Sequence, residues 1–399
     1  MNTILTDEEV SQLRAETKGT RERIHFNNAG ASLPPDVVVD TVTGYLYEEA
    51  LYGGYETEYM YRDKLDNTYT SIARLINASV NEIAVMENAS TGWCIAFNGM
   101  ELKNGDEIIT CEMEYATNVL GFLHAKKAAG VKVKIIPNDA EGNFCLEELE
   151  QAITPQTKLI AATHIGSAAG NVMPVAAIGK IARRHNITYL LDACQSIGHA
   201  PVDVNEIQCD MLSVTGRKYL RAPRGTGFLY VRKEVQDNLS ISFMDGFGIE
   251  KVSSGDYSFR KDARRFELYE KNRALTFGLG KAVDYVLAIG IDKIWQRVQY
   301  LAQLLRNGLS QITGVKVYDN AAVKSGIVTF SVKGIDDYTV KNKLSEKNIN
   351  VSVGRAQTTL YYMEKYGLES VVRASVHYYN TKEEIDTLCK VLLEICAGN

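Results

Sequence analysis

Residues 187–231 read ITYLLDACQSIGHAPVDVNEIQCDMLSVTGRKYLRAPRGTGFLYV, and three short apolar runs stand out within them: ITYLLDA, MLSVTG and GFLYV. Each is rich in Val, Ile, Leu or Tyr and is bounded by turn-forming residues, which is how buried strands read. Upstream, from about residue 80, IAVME, EIITCE, VKVKIIP and LIAATHI repeat the pattern, with longer helical stretches between the runs. Strands alternating with helices predict βαβ units, and hence an α/β fold whose large domain is a mostly parallel seven-stranded sheet between helices. In such sheets ligands bind beyond the carboxyl ends of the strands. Ser90 and Thr91, Glu114 and Tyr115, His164, Asp192 and Gln195, and Thr215 through Lys218 all follow on these runs. One face of one sheet is therefore expected to gather them.

The pattern changes after residue 235 to a polar, Gly-containing stretch, SFMDGFGIEKVSSGDYSFRKDARRFE, and then to a long helical segment starting near Lys271. From about 315, VKVYDN, GIVTFSV, NINVSVG and VVRASVHYY alternate with the helical patterns DDYTVKNKLSEK and TKEEIDTLCKVLLEICA, which predicts a smaller C-terminal α+β domain. The expected division is an N-terminal helical segment over 1–25, a large domain over 26–280 and a small domain over 281–399. Thr6 and Glu9 stand at capping-box spacing and predict a short helix around 6–17 on the outside of the main body.

Composition narrows the class. Of 399 residues, 45% are hydrophobic and 23% charged, the balance of an ordinary folded chain rather than a disordered or fibrous one. Lys and Arg number 44 against 49 Asp and Glu, a net charge of −5, and no long basic run exists for phosphate backbones or anionic lipid. Neither nucleic acid nor a membrane surface is expected as a partner. The start, MNTILTDEEVSQLRAET, lacks the basic and apolar regions of a signal peptide, so a cytoplasmic protein is expected. Seven cysteines without CxxC or Cys/His clustering predict reduced thiols and no metal site.

Chemistry concentrates at Lys218, in a turn after an apolar strand and flanked by Thr215, Gly216 and Arg217, which together could hold an anion. A buried lysine beside another cation has a depressed pKa and can form a Schiff base with an aldehyde. Asp192 ends another strand 26 residues earlier, where a carboxylate could pair with a ring-nitrogen cation.

FNNAGASLPP, ENASTGW, CEMEYATN, THIGSAAG, DACQSIGHAPVDV, the lysine segment, RRFE and VRASVHYYNTKEEID occur in that order along the chain. In this order and spacing they resemble the class V aminotransferase family over nearly the whole chain. These are fold-type-I pyridoxal phosphate enzymes that include cysteine desulfurases and related carbon–sulfur lyases. The resemblance implies pyridoxal phosphate as cofactor and a homodimer acting on a small amino acid. It implies that Lys218 carries the cofactor and moves protons, that Asp192 keeps the pyridine nitrogen protonated, and that Gln195 bonds the ring phenolate oxygen. Ser90, Thr91, Thr215 and Arg217 would cup the phosphate at a helix N-terminus. Tyr115 would stack on the ring, with His164 and Ser167 at its edge. Arg373 would pair with the substrate α-carboxylate, with Arg355 and Asn28 as further substrate-binding candidates.

The departures from the desulfurase pattern matter as much. Tyr115 stands where desulfurases have a histidine, and a tyrosine titrating near about 10 is less suited to shuttling protons at neutral pH. Where desulfurases carry a mobile loop with a nucleophilic cysteine, this chain reads NVSVGRAQTTLYYMEKYG; Arg355, within it, could bind a second polar end of the substrate. Leu268 and Tyr269 replace the usual Gly-Thr pair after Arg-Phe-Glu, so a cross-subunit contact is expected through different atoms. Arg221 and Arg224 are expected at the dimer surface or substrate entrance. The implied activity is α,β-elimination at a cysteine conjugate or sulfoxide. The alternatives are transamination or epimerisation, then desulfuration or a non-catalytic cofactor-bound sensor.

Overall fold

The computed structural model describes residues 4–398. The seven apolar runs form one sheet: β1 Ile83–Met86, β2 Glu107–Cys111, β3 Lys132–Ile136, β4 Thr157–Thr163, β5 Thr188–Asp192, β6 Met211–Thr215 and β7 Gly227–Val231. Their spatial order is β1-β7-β6-β5-β4-β2-β3, with β2 to β6 parallel and β7 antiparallel to both neighbours. The reversal at β7 has a simple cause. Only the turn 216–226 joins β6 to β7, and a parallel return requires a crossover of roughly a dozen residues or more. Every residue of β1, β2, β6 and β7 is buried, as near-continuous apolar strands covered on both faces must be.

Pairing aligns the carboxyl ends: Thr163 stands opposite Asp192, and Asp192 opposite Ser213. Helix Ala89–Asn98 begins against β7, where a Cβ on Gly227 would lie 2.3 Å from the Val214 carbonyl oxygen and 3.3 Å from the Ala89 nitrogen. Glycine thus lets the helix start sit on the sheet edge, where the lysine turn also emerges.

The capping box of Thr6 and Glu9 caps helix Asp7–Ala15. Ile24–His25 then pairs in parallel with Ile349–Asn350, stitching the N-terminal segment to the C-terminal half. The polar stretch after 235 contains a two-stranded antiparallel ribbon, Ile249–Val252 with Tyr257–Phe259. Helices Arg273–Ile289 and Ile291–Ser310 meet at Gly290, whose φ of 93° permits a 79° bend. Among the described residues, no single helix is long and apolar enough to cross a membrane. Beyond lies an antiparallel sheet of β8 Val315–Val317, β9 Ile327–Val332, β10 Ser352–Arg355 and β11 Ser370–Ser375, ordered β8-β9-β11-β10, with helices Asp337–Glu346 and Lys382–Ala397.

Arg306 fastens this region internally. Its guanidinium pairs with buried Asp319 and donates to the carbonyls of Ser325 and Ile327 at 2.9 Å, while the Ser325 N–H reaches the Gly170 carbonyl at 2.6 Å. Arg221 corrects the expectation of a surface or entrance role. It is 1% exposed, adopts φ 62°, and donates to the Leu33 carbonyl at 2.7 Å, Thr17 Oγ1 at 2.7 Å and the Tyr378 hydroxyl at 2.5 Å. It binds the N-terminal segment to the lysine turn.

Candidate active site

At the carboxyl ends of β5 and β6 lies a cavity of ≈270 Å³ whose lining includes Ser90, Tyr115, Asp192, Thr215, Arg217 and Lys218. Six of the expected site residues therefore converge, from four separate stretches of chain. Lys218 is 8% exposed, and its Nζ stands 5.6 Å from the centre of the Tyr115 ring. Burial pushes the Lys218 ammonium below its ordinary pKa; nearby Arg217 and Arg373 push the same way, and Asp192 opposes them. A primary amine so placed is a competent nucleophile toward an aldehyde. Tyr115 is the N-cap of helix Ala116–Ala129, which fixes its ring at the cavity wall.

Asp192 closes β5 and is 6% exposed. Its Oδ1 accepts the Cys194 backbone N–H at 2.9 Å and its Oδ2 accepts the Asn118 side-chain N–H at 3.1 Å, which holds the carboxylate still. At the other end of the cavity, helix Ala89–Asn98 presents its N-terminus. Asn88 Oδ1 takes the Thr91 N–H at 2.9 Å, and Ser90 and Thr117 approach each other at 3.5 Å. Arg217 lines this space while donating to the Gly30 carbonyl at 2.8 Å, and Arg224, which is exposed, also lines it.

This donor set fits pyridoxal phosphate. A helix start, hydroxyls and arginines suit the dianionic phosphate, a fixed carboxylate suits a ring-nitrogen cation, and an amine suits the aldehyde. The Gln195 Oε1 is buried without a hydrogen-bond partner, its Nε2 donating to the Ala29 carbonyl at 3.2 Å, so polar capacity remains beside Asp192.

The other expected residues, Thr91, His164, Ser167, Gln195, Asn28, Arg355 and Arg373, are not among the residues that line this cavity. Thr91 spends its N–H on the Asn88 cap. His164 passes behind Asp192, its backbone N–H bonded to the Asp192 carbonyl at 2.9 Å, and burial holds its imidazole down to about 4, so it is neutral at pH 7. Ser167 receives Arg373 Nη1 on its carbonyl at 3.0 Å and its hydroxyl at 2.8 Å, while Arg373 Nε holds Ser352 Oγ at 3.1 Å. Asn28 is wholly buried, donating to the Ser375 carbonyl at 2.7 Å and accepting from the Tyr379 hydroxyl, at the seam of the N-terminal segment with β11. Arg355 is exposed at the end of β10.

Asn118 and Cys194 are among the lining residues not anticipated from sequence. Asn118 sits one helical turn beyond Tyr115, and the spacing Glu114-x-x-x-Asn118 was the available signal. Cys194, inside the DACQ motif, is the one cysteine that lines the cavity; burial pushes its thiol well above the ordinary range, so it is protonated at neutral pH.

The aminotransferase class-V family profile matches residues 24–388. A probable cysteine desulfurase of Pyrococcus abyssi is 32% identical over 392 residues, covering 96% of each chain. One from Methanothermobacter thermautotrophicus is 32% identical over 381 residues, covering 94% of this chain and 95% of its own. Among solved structures, an apo cysteine desulfurase from Thermococcus onnurineus superposes with a TM-score of 0.92 at 30% identity, covering 98% of both chains. A cystine C–S lyase solved with its product cysteine persulfide shares the fold, with a TM-score of 0.86 at 23% identity over 95% of this chain and 99% of its own. The chain thus belongs to the aminotransferase class-V family and is a pyridoxal phosphate-dependent enzyme.

Proposed function

We propose that this enzyme cleaves the Cβ–S bond of a cysteine conjugate or cysteine sulfoxide by α,β-elimination in the Lys218 cavity. The observation that carries this reading is the segment after β10. It contains no cysteine and is folded as a 3-10 turn, Ala356–Thr359, and a helix, Leu360–Lys365. Tyr362 donates its N–H to the Glu112 carbonyl at 3.1 Å, and Lys365 Nζ bonds Glu112 Oε2 at 2.8 Å and the Asn138 carbonyl at 2.9 Å. Desulfuration through an enzyme persulfide needs a thiolate that reaches the substrate sulfur, whereas elimination needs none.

When bound, pyridoxal phosphate supplies an electron sink conjugated to the substrate α-carbon. Lys218 would hold the cofactor, and its Nζ would take the substrate α-proton. Asp192 holds a proton at the ring nitrogen. The Tyr115 ring would pack against the cofactor ring, Gln195 would offer it a hydrogen bond, and Ser90, Thr91, Thr215 and Arg217 would hold its phosphate. Arg373 pairs with the α-carboxylate, with Ser167 and Ser352 fixing its fork. The C–S electron pair leaves with sulfur, which takes a proton. The released aminoacrylate hydrolyses to pyruvate and ammonia.

The second reading is cysteine desulfuration, favoured by the names of the most similar relatives. A panel of L-cysteine, cysteine S-conjugates and S-oxides, with products identified by mass spectrometry, separates the two. Pyruvate and ammonia without a keto-acid acceptor are expected. Alanine with sulfane sulfur would establish desulfuration instead, and acceptor dependence or inverted α-carbon would mean transamination or epimerisation.

The same reading pairs two copies. Tyr47, Leu51, Tyr55 and Tyr59, on helices Asp36–Tyr52 and Gly54–Met60, are each more than 70% exposed, and so large an apolar face marks a protein contact. Beside it is a second cavity, ≈640 Å³, lined by Tyr269, Lys271 and Arg273 in the segment where the family's cross-subunit contact is expected. Light scattering should give twice the 44.3 kDa chain mass, and Tyr47→Glu with Leu51→Glu should return it to the single-chain value.

A further inference from the structure

Beneath Asp192 lies a second carboxyl group that the reaction described above does not use. Glu114 is fully buried. Its Oε2 accepts Asn118 Nδ2 at 2.7 Å and Thr163 Oγ1 at 3.1 Å, and its Oε1 lies 3.7 Å from Cys111 Sγ. The same Asn118 nitrogen donates to Asp192 Oδ2 at 3.1 Å. An amide nitrogen has two hydrogens, and here each faces one carboxyl oxygen, so the Asn118 amide has a single satisfactory orientation. We propose that Glu114 is a positioning residue for Asp192: through the two N–H groups of Asn118 it fixes the rotation of that carboxylate, and with it where its charge points in the cavity.

The titratable groups around Glu114 are Asp192 and Tyr189 on β5, Cys111 at the end of β2, and Tyr361 on helix Leu360–Lys365. No cation stands among them. Burial first, and the Asp192 charge after it, raise the Glu114 carboxyl to about 7. In its acid form Glu114 leaves Asp192 the only negative charge at that end of the cavity while still accepting the Asn118 N–H. Its oxygens face Asn118 and Thr163, so its action on the cofactor passes through Asp192.

The inference rests on the cofactor assignment, and its test separates the two. Holoprotein with Glu114→Ala, Asn118→Ala, Glu114→Gln and Glu114→Asp is compared with wild type for pyridoxal phosphate affinity and for the pH midpoint of the bound cofactor's visible band. The two alanine variants should bind the cofactor roughly tenfold more weakly, the equivalent of one hydrogen bond to a charged group. Their midpoint should move up by about one pH unit, because a ring nitrogen no longer held protonated withdraws less charge from the linkage nitrogen. Glu114→Gln, whose side-chain carbonyl can still accept from Asn118, should restore both. Folded alanine variants that match wild type in affinity and midpoint would overturn the proposal. Should the alanine variants not fold, Glu114→Asp, one methylene short of Asn118, decides: a shifted midpoint supports the role and an unshifted one overturns it. Wild type that carries no borohydride-fixed cofactor on Lys218 would instead count against the cofactor assignment.

Discussion

Replacing Lys218 by alanine is expected to lower kcat/KM by at least ~10³-fold, since one group supplies both covalent attachment and the proton transfer at the α-carbon. The fold should survive. Lys218 sits in the turn beyond β6 and is buried, so its charged form bears a desolvation cost together with repulsion from Arg217 and Arg373. Circular dichroism should therefore match wild type while the visible band of the bound cofactor shifts and turnover disappears. Lys218→Arg, which keeps the charge but cannot act as a neutral amine, should be as inactive as the alanine variant. Substantial turnover in either variant would remove Lys218 from the chemistry.

Asp192→Ala carries the second large effect, a loss of about 10²-fold or more in kcat, with weaker cofactor binding. The carboxylate is the one acid lining the far end of the cavity from the helix N-terminus, and it is aimed by the Cys194 backbone and the Asn118 amide. Without it a bound ring nitrogen lacks a partner for its proton, and the developing negative charge at the α-carbon loses its sink. Asp192→Glu retains charge but displaces it by one methylene, and should recover part of the affinity and little of the rate. Equal kcat in wild type and Asp192→Ala would show that ring-nitrogen protonation is not limiting.

The sheet was legible because its strands are buried on both faces, so each reads as a bounded apolar run. The positions of Asp192 and Lys218 at strand ends followed from that. The reversal of β7 was implicit in the short turn 216–226. What stayed hidden depends on contacts between distant stretches. Asn118 and Asp192 are 74 residues apart, and nothing in EYATN or DACQ announces that the two side chains meet. Arg221 misleads because its neighbours Gly216, Arg217 and Arg224 read as a basic, exposed turn, whereas its left-handed backbone turns the side chain inward onto Leu33, Thr17 and Tyr378. Asn28 and Arg373 show the same limit: each takes one partner from a segment more than 200 residues away, Ser375 in one case and Ser167 in the other. The altered segment after β10 was legible as an absence of cysteine, but its docking through Lys365 onto Glu112 was not.

The central claim is that the amine of Lys218 holds pyridoxal phosphate in this cavity. Borohydride reduction of the holoenzyme, followed by digestion and mass spectrometry, tests it directly. One pyridoxyl-phosphate mass per chain is predicted, on the peptide containing Lys218, and absent from Lys218→Ala. A label on another lysine, or none on a protein that still turns over substrate, would contradict the account.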